Sequence, residues 1–307
     1  MSEHVEGTVV ACHRDDWEVA LDSGLVIRSS LRGRHFIAFT EGDKPIAPGD
    51  RVRLEMLDDG TGVINDVLPR ATVLSRRLPG AKRATEQVVV ANADQLVVVA
   101  SFGEPRLNRR LIDRFLVVAE EAGLSSVVAL NKIDLSTDDE RRAAARAYEL
   151  ADYPVVLTCA QDGSGVAELS GRMTGRFSVL AGPSGAGKSS LLNALEPGLG
   201  IRVAAVSRKT GKGRHTTSSV TVFRLSAGGM VVDTPGFREL GLWRVRSEDI
   251  GDLFPEIRRH APRCRFKACS HGLEPDCAVK QAVAAGDIDH GRYESYLKLR
   301  SELAAPE

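Results

Sequence analysis

The chain has 307 residues, which is too long for one small domain and suits two or three. Its 41 basic and 41 acidic residues cancel and 43% of its residues are hydrophobic, which predicts a globular protein and argues against a globally basic nucleic-acid binder. No apolar run approaches the ~20 residues of a transmembrane helix, no signal peptide is visible, and five cysteines do not make a disulfide scaffold. These features predict a cytoplasmic protein.

Residues 1–70 have the pattern of short strands separated by turns. Strands are predicted at 5–12, 17–21, 25–29, 50–57 and 62–67. This density of strands indicates a small β-barrel, and an oligonucleotide-binding (OB) barrel and an SH3-like barrel both fit the pattern. The basic, turn-rich segment 71–86 is predicted to be a linker or mobile loop.

Beyond this segment the pattern changes to that of an α/β domain. Apolar runs predict buried strands at 95–101, 127–130, 154–157 and 177–181. Helical periodicity predicts helices at 107–119, 138–151 and 166–173. Strands that alternate with helices indicate a parallel sheet with right-handed crossovers. Two more strands, around 219–225 and 230–232, are expected to form a hairpin at the edge of the same sheet.

A phosphate-binding loop is predicted between the strand at 177–181 and the helix that follows it. The loop reads Gly-Pro-Ser-Gly-Ala-Gly-Lys-Ser and fits G-x4-G-K-[ST]. Its glycines let backbone N–H groups turn toward a phosphate, and the helix N-terminus adds positive potential. Lys188 is expected to reach the β- and γ-phosphates and Ser189 to bind Mg²⁺. The residues of this loop predicted to contact GTP are Gly182, Ser184, Gly185, Ala186, Gly187, Lys188, Ser189 and Ser190.

A base-reading motif directly follows the strand at 127–130. It reads Asn131-Lys132-Ile133-Asp134, and ligands of α/β sheets bind at the carboxyl ends of the strands. The Asp134 carboxylate can accept two hydrogen bonds from guanine N1–H and N2–H₂, a donor pair that adenine lacks. Asn131, Lys132 and Asp134 are therefore predicted to select GTP over ATP.

Two further motifs predict the Mg²⁺ and γ-phosphate contacts. Asp233-Thr234-Pro235-Gly236 fits D-x-x-G, which places Asp233 near Mg²⁺ through a water and the Gly236 N–H toward the γ-phosphate. In the glycine-punctuated loop at 211–217, Thr216 or Thr217 could complete the Mg²⁺ shell. The base-reading motif precedes the phosphate loop, whereas it follows it in Ras-like GTPases. Because the site depends on convergence in space, a circular permutation preserves it.

Residues 246–307 are predicted to form a small helical domain with helices at 279–285 and 290–303. Its most specific feature is a Cys-x4-Cys-x-His-x5-Cys pattern. The pattern consists of Cys264, Cys269, His271 and Cys277. Three thiolates and an imidazole suit one tetrahedral structural Zn²⁺. Unliganded cysteines are the alternative, and His260 is a competing ligand. Cys12 and Cys159 have no obvious partner in the sequence and are expected to be small core residues.

Three runs of basic residues contain no acid. They lie at 70–83, 207–215 and 258–267 and hold five, four and five basic residues. Such runs suggest local patches for a polyanion, because phosphate contacts act within a Debye length of ~8 Å and not through the net charge. Ordinary solvated surface is the alternative.

Over almost its whole length the chain resembles the family of GTPases that depend on the small ribosomal subunit, the RsgA family. The resemblance is carried by GPSGAGKS, GKGRHTT, DTPGFRELGLW and the cysteine cluster. It implies an OB barrel at 1–70, a circularly permuted Ras-like P-loop GTPase domain at 71–245 and a zinc-binding helical domain at 246–307. It also implies GTP hydrolysis stimulated by the small ribosomal subunit, a role in late maturation of that subunit, rRNA contacts through both outer domains and release on hydrolysis.

The resemblance also bears on the catalytic group. Phe237 stands where Ras-like enzymes place a water-orienting glutamine, and a phenylalanine ring cannot orient water by hydrogen bonding. The family implies His215 as the catalytic group beside Lys188, and a contact between His215 and an rRNA phosphate is the alternative. We further predict a monomer that binds GTP and GDP and does not bind membranes. The rival interpretations are a permuted GTPase of the large subunit, an RNA chaperone that only senses GTP, and a P-loop kinase or ATPase.

Overall fold

The computed structural model shows two compact units. The described residues are 4–13, 16–31, 46–77, 86–200, 221–233 and 242–305. The first unit comprises Met1–Asp94, Met173–Val179 and Val206–Leu240. The second unit comprises Gln95–Arg172, Leu180–Ala205 and Gly241–Glu307. Among the helices that the structure describes, none combines the length and the apolar character needed to cross a membrane.

The first unit contains a closed five-stranded barrel. Its strands are β1 (His4–Cys12), β2 (Trp17–Leu21), β3 (Val26–Leu31), β4 (Arg51–Met56) and β5 (Gly62–Val67). β3 and β5 pair in parallel, the other neighbours pair antiparallel, and β1 also pairs with β4, which closes the barrel. Alternate side chains point inward, and Val9, Val19, Val52 and Ile64 are fully buried there. The strand order is that of an OB barrel, so this expectation is confirmed over the SH3-like alternative.

Two further strand pairs of the first unit differ from the sequence prediction. β6 (Val73–Arg77) pairs antiparallel with β7 (Glu86–Ala91), so part of the segment expected to be a linker is a strand. Only two apolar residues open β6 before polar ones follow, which left no strand signal. β12 (Thr221–Arg224) and β13 (Met230–Asp233) form the expected hairpin. The prediction that this hairpin is an edge is wrong, because β12 also pairs with β1.

The second unit is built on a parallel sheet. β8 (Gln95–Ser101), β9 (Ser125–Asn131) and β10 (Val155–Leu157) pair in that order. The helices α1 (Arg109–Glu121), α2 (Asp138–Glu149) and α3 (Val166–Met173) follow them in the chain. β11 (Phe177–Ala181), of which only Leu180 and Ala181 belong to the second unit, then leads to α4 (Lys188–Leu195). β8 is buried along its whole length, as its continuous apolar run predicts. The predicted alternation of strands and helices is thus confirmed.

Polar side chains fix where the first two helices of this unit begin. Asn108 Oδ1 accepts a hydrogen bond from the Leu111 N–H at 3.1 Å and caps α1. Thr137 and Glu140 form a reciprocal capping box at the start of α2. Each cap satisfies backbone N–H groups that have no partner inside the helix.

The C-terminal part of the second unit is helical. It contains α5 (Pro255–His260), α6 (Ala278–Ala285) and α7 (His290–Ala304). The last two confirm the predicted helices. The sequence did not predict α5, because its six residues include only one large apolar side chain, Ile257.

A buried ionic cluster links α7 to α5 and α1. The Arg292 guanidinium donates to both carboxylate oxygens of Glu256, at 2.8 and 3.0 Å, and to Asp113 Oδ1 at 2.7 Å. These three side chains are at most 2% exposed. The guanidinium also lies 4.7 Å from the centre of the Phe254 ring. Burial raises the pKa of Asp113, and the attraction of Arg292 opposes that shift.

Candidate nucleotide-binding and metal sites

Two glycines of the phosphate loop (residues 182–189) are required by close backbone packing. Gly182 has a φ of 147°, and a Cβ on it would lie 2.1 Å from the Val99 carbonyl oxygen of β8. Gly187 has a φ of 93°, and a Cβ there would lie 2.3 Å from Asn131 Nδ2. No side chain fits at either position, because contacts shorter than 3.0 Å would form with backbone or with a buried amide. The loop therefore presses against β8 and against the base-reading motif.

The loop holds a lysine at the start of α4. Lys188 is the first residue of this helix, and its ammonium group donates to the carbonyl oxygens of Gly182 and Pro183 at 2.9 and 3.1 Å. Ser189 and Ser190 follow in the first helical turn. The predicted strand–loop–helix context is therefore present. A cation and a helix N-terminus converge on this loop, an arrangement that favours anions.

The base-reading loop (residues 131–134) is joined to the phosphate loop by hydrogen bonds. Asn131 ends β9, is 1% exposed and donates from Nδ2 to the Ala186 carbonyl oxygen at 2.9 Å. Lys132 donates from Nζ to the Gly185 carbonyl oxygen at 2.6 Å and to that of Glu104, also at 2.6 Å. Two motifs that lie about 50 residues apart in the sequence thus form one site.

The sequence missed two residues that support the base-reading loop. Thr158 Oγ1 donates to Asn131 Oδ1 at 3.2 Å, and the Cys159 thiol donates to Asp134 Oδ1 at 3.2 Å. Cys159 is buried as expected, but it has a polar partner, which corrects the interpretation that it is only a core residue. Burial raises the pKa of this thiol, so it stays protonated and can donate. Both residues follow β10 at the same sheet edge, and that placement is the signal that could have found them.

The remaining predicted Mg²⁺ and γ-phosphate residues are largely outside the described part of the chain. Asp233 ends β13, and only its backbone is described. Gly236 and the loop residues His215, Thr216 and Thr217 lie outside the described residues. Their roles stay predictions.

The four predicted zinc ligands come together in the metal loop (residues 264–277). Their ligand atoms all lie within 4.8 Å of one another. The Cys264 and Cys277 sulfurs are 3.8 Å apart, and His271 Nδ1 is 3.5 Å from each of them. With Zn–S near 2.3 Å and Zn–N near 2.05 Å, a tetrahedral ion places its sulfurs about 3.8 Å apart and a sulfur and a nitrogen about 3.6 Å apart. The loop therefore has the dimensions of a tetrahedral zinc site.

Burial shifts the pKa values of two of the four predicted ligands in the metal loop. Burial raises the pKa of the Cys269 thiol to about 12, so a thiolate there needs a positive neighbour. Burial lowers the pKa of His271, which keeps its imidazole neutral, the form that binds metal. His260, the competing ligand, is not in the cluster, and its Nδ1 lies 2.5 Å from Arg263 Nη2.

Most described arginines of the basic runs have acidic or polar partners. Arg70 pairs with the buried Asp50 at 2.7 Å. In the run at 258–267, Arg258 pairs with Glu120 at 3.3 Å and Arg265 with Asp276 at 2.9 Å. These pairs leave less free positive surface than the sequence suggests. Exposed pairs contribute only about 0–1 kcal/mol each, so they can exchange partners.

The fold and the joined loops define a P-loop GTPase whose base-reading motif precedes its phosphate loop, which is a circularly permuted order. The sequence profile described as RsgA GTPase matches residues 67–243. A protein of Gemmatimonas aurantiaca named "Small ribosomal subunit biogenesis GTPase RsgA" is 44% identical over 305 residues, 99% of each chain. One of the same name from Chlorobaculum tepidum is 40% identical over 312 aligned residues, 99% of this chain and all of the relative.

Solved structures agree with these relatives. YjeQ from Thermotoga maritima superposes with a TM-score of 0.81 at 35% identity, covering 99% of this chain and 100% of that one. YloQ, described as a circularly permuted GTPase, superposes with a TM-score of 0.77 at 30% identity, covering 99% and 97%. The chain belongs to the RsgA GTPase family and is a GTP hydrolase.

Proposed function

We propose that this chain hydrolyses GTP on the small ribosomal subunit late in its assembly and leaves the subunit after hydrolysis. The observation that carries the proposal is the joining of the base-reading and phosphate loops through Asn131 and Lys132. Because each loop fixes the other, recognition of guanine and of phosphate belongs to one site. The names of the relatives, which refer to biogenesis of the small ribosomal subunit, supply the proposed setting.

Within this site we assign roles by chemistry. Lys188 neutralises charge on the β- and γ-phosphates, and Ser189 binds the Mg²⁺ that accompanies GTP. Asp134 accepts from the guanine edge, and Cys159 holds one of its oxygens in place. Mg²⁺ supplies charge neutralisation between the phosphates when bound. Asp233, together with Gly236 and one of Thr216 and Thr217, which lie outside the described residues, completes the proposed Mg²⁺ and γ-phosphate contacts.

The catalytic polar group in this proposal is His215. Phe237 follows the D-x-x-G motif and offers no hydrogen bond to an attacking water. An imidazole can accept a proton from that water or orient it. His215 belongs to a polar, glycine-punctuated stretch of the sequence at 211–217. We propose that contact with the subunit places His215 beside the attacking water, which would account for stimulation of hydrolysis by the subunit.

We also propose that the metal loop holds one structural zinc ion. Cys264, Cys269, His271 and Cys277 supply four ligands, which leaves no open position for a reacting water. The zinc would fix the loop and not take part in hydrolysis. We propose three domains, at residues 1–70, 71–245 and 246–307. The barrel of the first domain and the helical third domain, which holds the metal loop, are the proposed rRNA-binding parts.

Co-sedimentation with purified small ribosomal subunits tests the proposed release step. We expect the protein to pellet with small subunits in a non-hydrolysable GTP analogue and to stay in the supernatant in GDP. Large subunits are the matched control and should pellet none of it. Equal pelleting in the two nucleotides would contradict release on hydrolysis, and pelleting with large subunits would favour the large-subunit alternative.

A further inference from the structure

The ligand His271 sits on a strained part of the metal loop. Its backbone φ is 58°, in the left-handed region that residues other than glycine rarely adopt, and the residue is 6% exposed. Such a conformation persists only where the surroundings hold it. The groups that hold it therefore decide where its ring nitrogen points.

One carboxylate holds the backbone on both sides of this histidine. Glu274 Oε1 accepts a hydrogen bond from the Ser270 N–H at 2.7 Å, and Oε2 accepts one from the Gly272 N–H at 3.0 Å. Both oxygens of a single side chain thus close a ring around the ligand residue. Hydrogen bonds to an ionised acceptor are roughly twice as strong as neutral ones.

Two tyrosines of α7 hold the same segment through its carbonyl groups. The Tyr296 hydroxyl donates to the Ser270 carbonyl oxygen at 2.8 Å, and the Tyr293 hydroxyl donates to that of His271 at 2.6 Å. Arg292, which is next to Tyr293, is fixed by the buried carboxylates of Glu256 and Asp113. The tyrosines anchor the segment to the helix, whereas Glu274 holds the turn of the loop itself.

We propose that Glu274 is the positioning residue of the zinc site: by binding the N–H groups on both sides of His271 it presents Nδ1 to the metal. This inference rests on the proposed zinc site. Groups that orient a metal ligand typically change metal affinity by 10–100-fold when they are removed. The described hydrogen bonds of Glu274 go to backbone N–H groups, so it acts through the direction of His271. Its loss should weaken zinc affinity and, if association is unchanged, raise the rate of zinc release by the same factor.

The test is the rate at which zinc leaves the purified full-length protein in excess of a chromogenic chelator. In Glu274→Gln the side-chain amide NH₂ cannot accept from an N–H group, so one of the two bonds is lost. We expect zinc release to be about 10–100-fold faster than in the wild type. Glu274→Asp keeps the charge on a side chain one methylene shorter, and its rate of zinc release should lie between those of the wild type and Glu274→Gln. In the cobalt-loaded protein, the visible absorption of Glu274→Gln should differ in intensity or position, because the imidazole is misdirected.

The matched control is Asp276→Asn, which removes one negative charge from the same loop. Asp276 is exposed and pairs only with Arg265 among the described contacts, so its release rate should stay within about threefold of the wild type. Equal acceleration of zinc release in Glu274→Gln and Asp276→Asn would mean that charge and not positioning sets the rate, and would overturn the inference. Wild-type release rates in both Glu274 variants would also overturn it and leave the zinc site intact. If the purified wild-type protein contains no zinc, the proposed zinc site is overturned as well.

Discussion

The nucleotide-binding loops and the metal loop hold their functional side chains in different ways. In the nucleotide site the motifs support one another, because Asn131 and Lys132 bind carbonyl oxygens of the phosphate loop. In the metal loop the supporting groups are not ligands themselves: Glu274 lies between two of the ligands, and the tyrosines lie on α7. Sequence motifs reveal the whole of a site whose motif residues hydrogen-bond to one another. Where other residues hold the ligands in place, the motif reveals only the ligands.

This difference also predicts whether a substitution changes mainly the chemistry or mainly the free energy of unfolding. Loss of Lys188 or Asp134 should impair chemistry with little effect on the free energy of unfolding, because neither side chain makes the hydrogen bonds that join the two loops. Loss of a group that supports the metal loop should mainly lower the free energy of unfolding. The following variants test this contrast.

The largest effect is expected for Arg292→Met, which leaves the buried carboxylates of Asp113 and Glu256 without a cation. Breaking such a cluster should lower the free energy of unfolding by about 3–5 kcal/mol, measured by denaturant titration. Arg142→Met is the control, since Arg142 is exposed and pairs with Asp139 one turn away on the same helix. It should cost at most about 0.5 kcal/mol. Similar costs in the two variants would remove the contrast between the regions.

Next in size is Lys188→Ala, which removes the cation of the phosphate loop. Phosphate release from GTP should fall by about 10²–10³-fold, because the ammonium group that neutralises developing charge on the phosphates is lost. The midpoint of unfolding should change little. Lys298→Ala, an exposed lysine on α7, should leave turnover unchanged. Turnover in Lys188→Ala within a few fold of the wild type would show that the loop does not hold the triphosphate.

Asp134→Asn should change which base is bound. An amide can no longer accept both guanine donors, so the affinity for GTP should fall by about 10²-fold in a nucleotide titration. Xanthosine triphosphate carries a carbonyl at the position of the guanine amino group, and the Asn NH₂ can donate to it. The variant should therefore prefer xanthosine triphosphate, and an unchanged preference for GTP would place base recognition elsewhere.

The smallest effect on nucleotide binding is expected for His215→Ala. GTP binding should be retained, while turnover stimulated by small subunits should fall by about 10²-fold, the lower end of what a general base contributes. Stimulated turnover equal to that of the wild type would leave His215 as an rRNA contact only.

The two regions also mark what sequence could predict. The phosphate loop, the base-reading loop and the four metal ligands were found because their spacing is local and chemically restricted. The strand β6 was missed because only two of its residues are apolar. The pairing of β12 with β1 was missed because the two strands lie more than 200 residues apart in the sequence. Cys159 was read as a core residue, because nothing in its neighbourhood shows that Asp134 lies beside it. Glu274 sits inside the metal loop, but a glutamate near cysteines carries no signal of the bonds it accepts.

Phosphate release from GTP and from ATP, each with and without purified small ribosomal subunits, tests the proposed function most directly. We expect release from GTP only, with an increase of many fold when small subunits are present. Release that is equal with and without subunits would contradict the proposed setting, and release from ATP as fast as from GTP would contradict the base-reading role of Asp134.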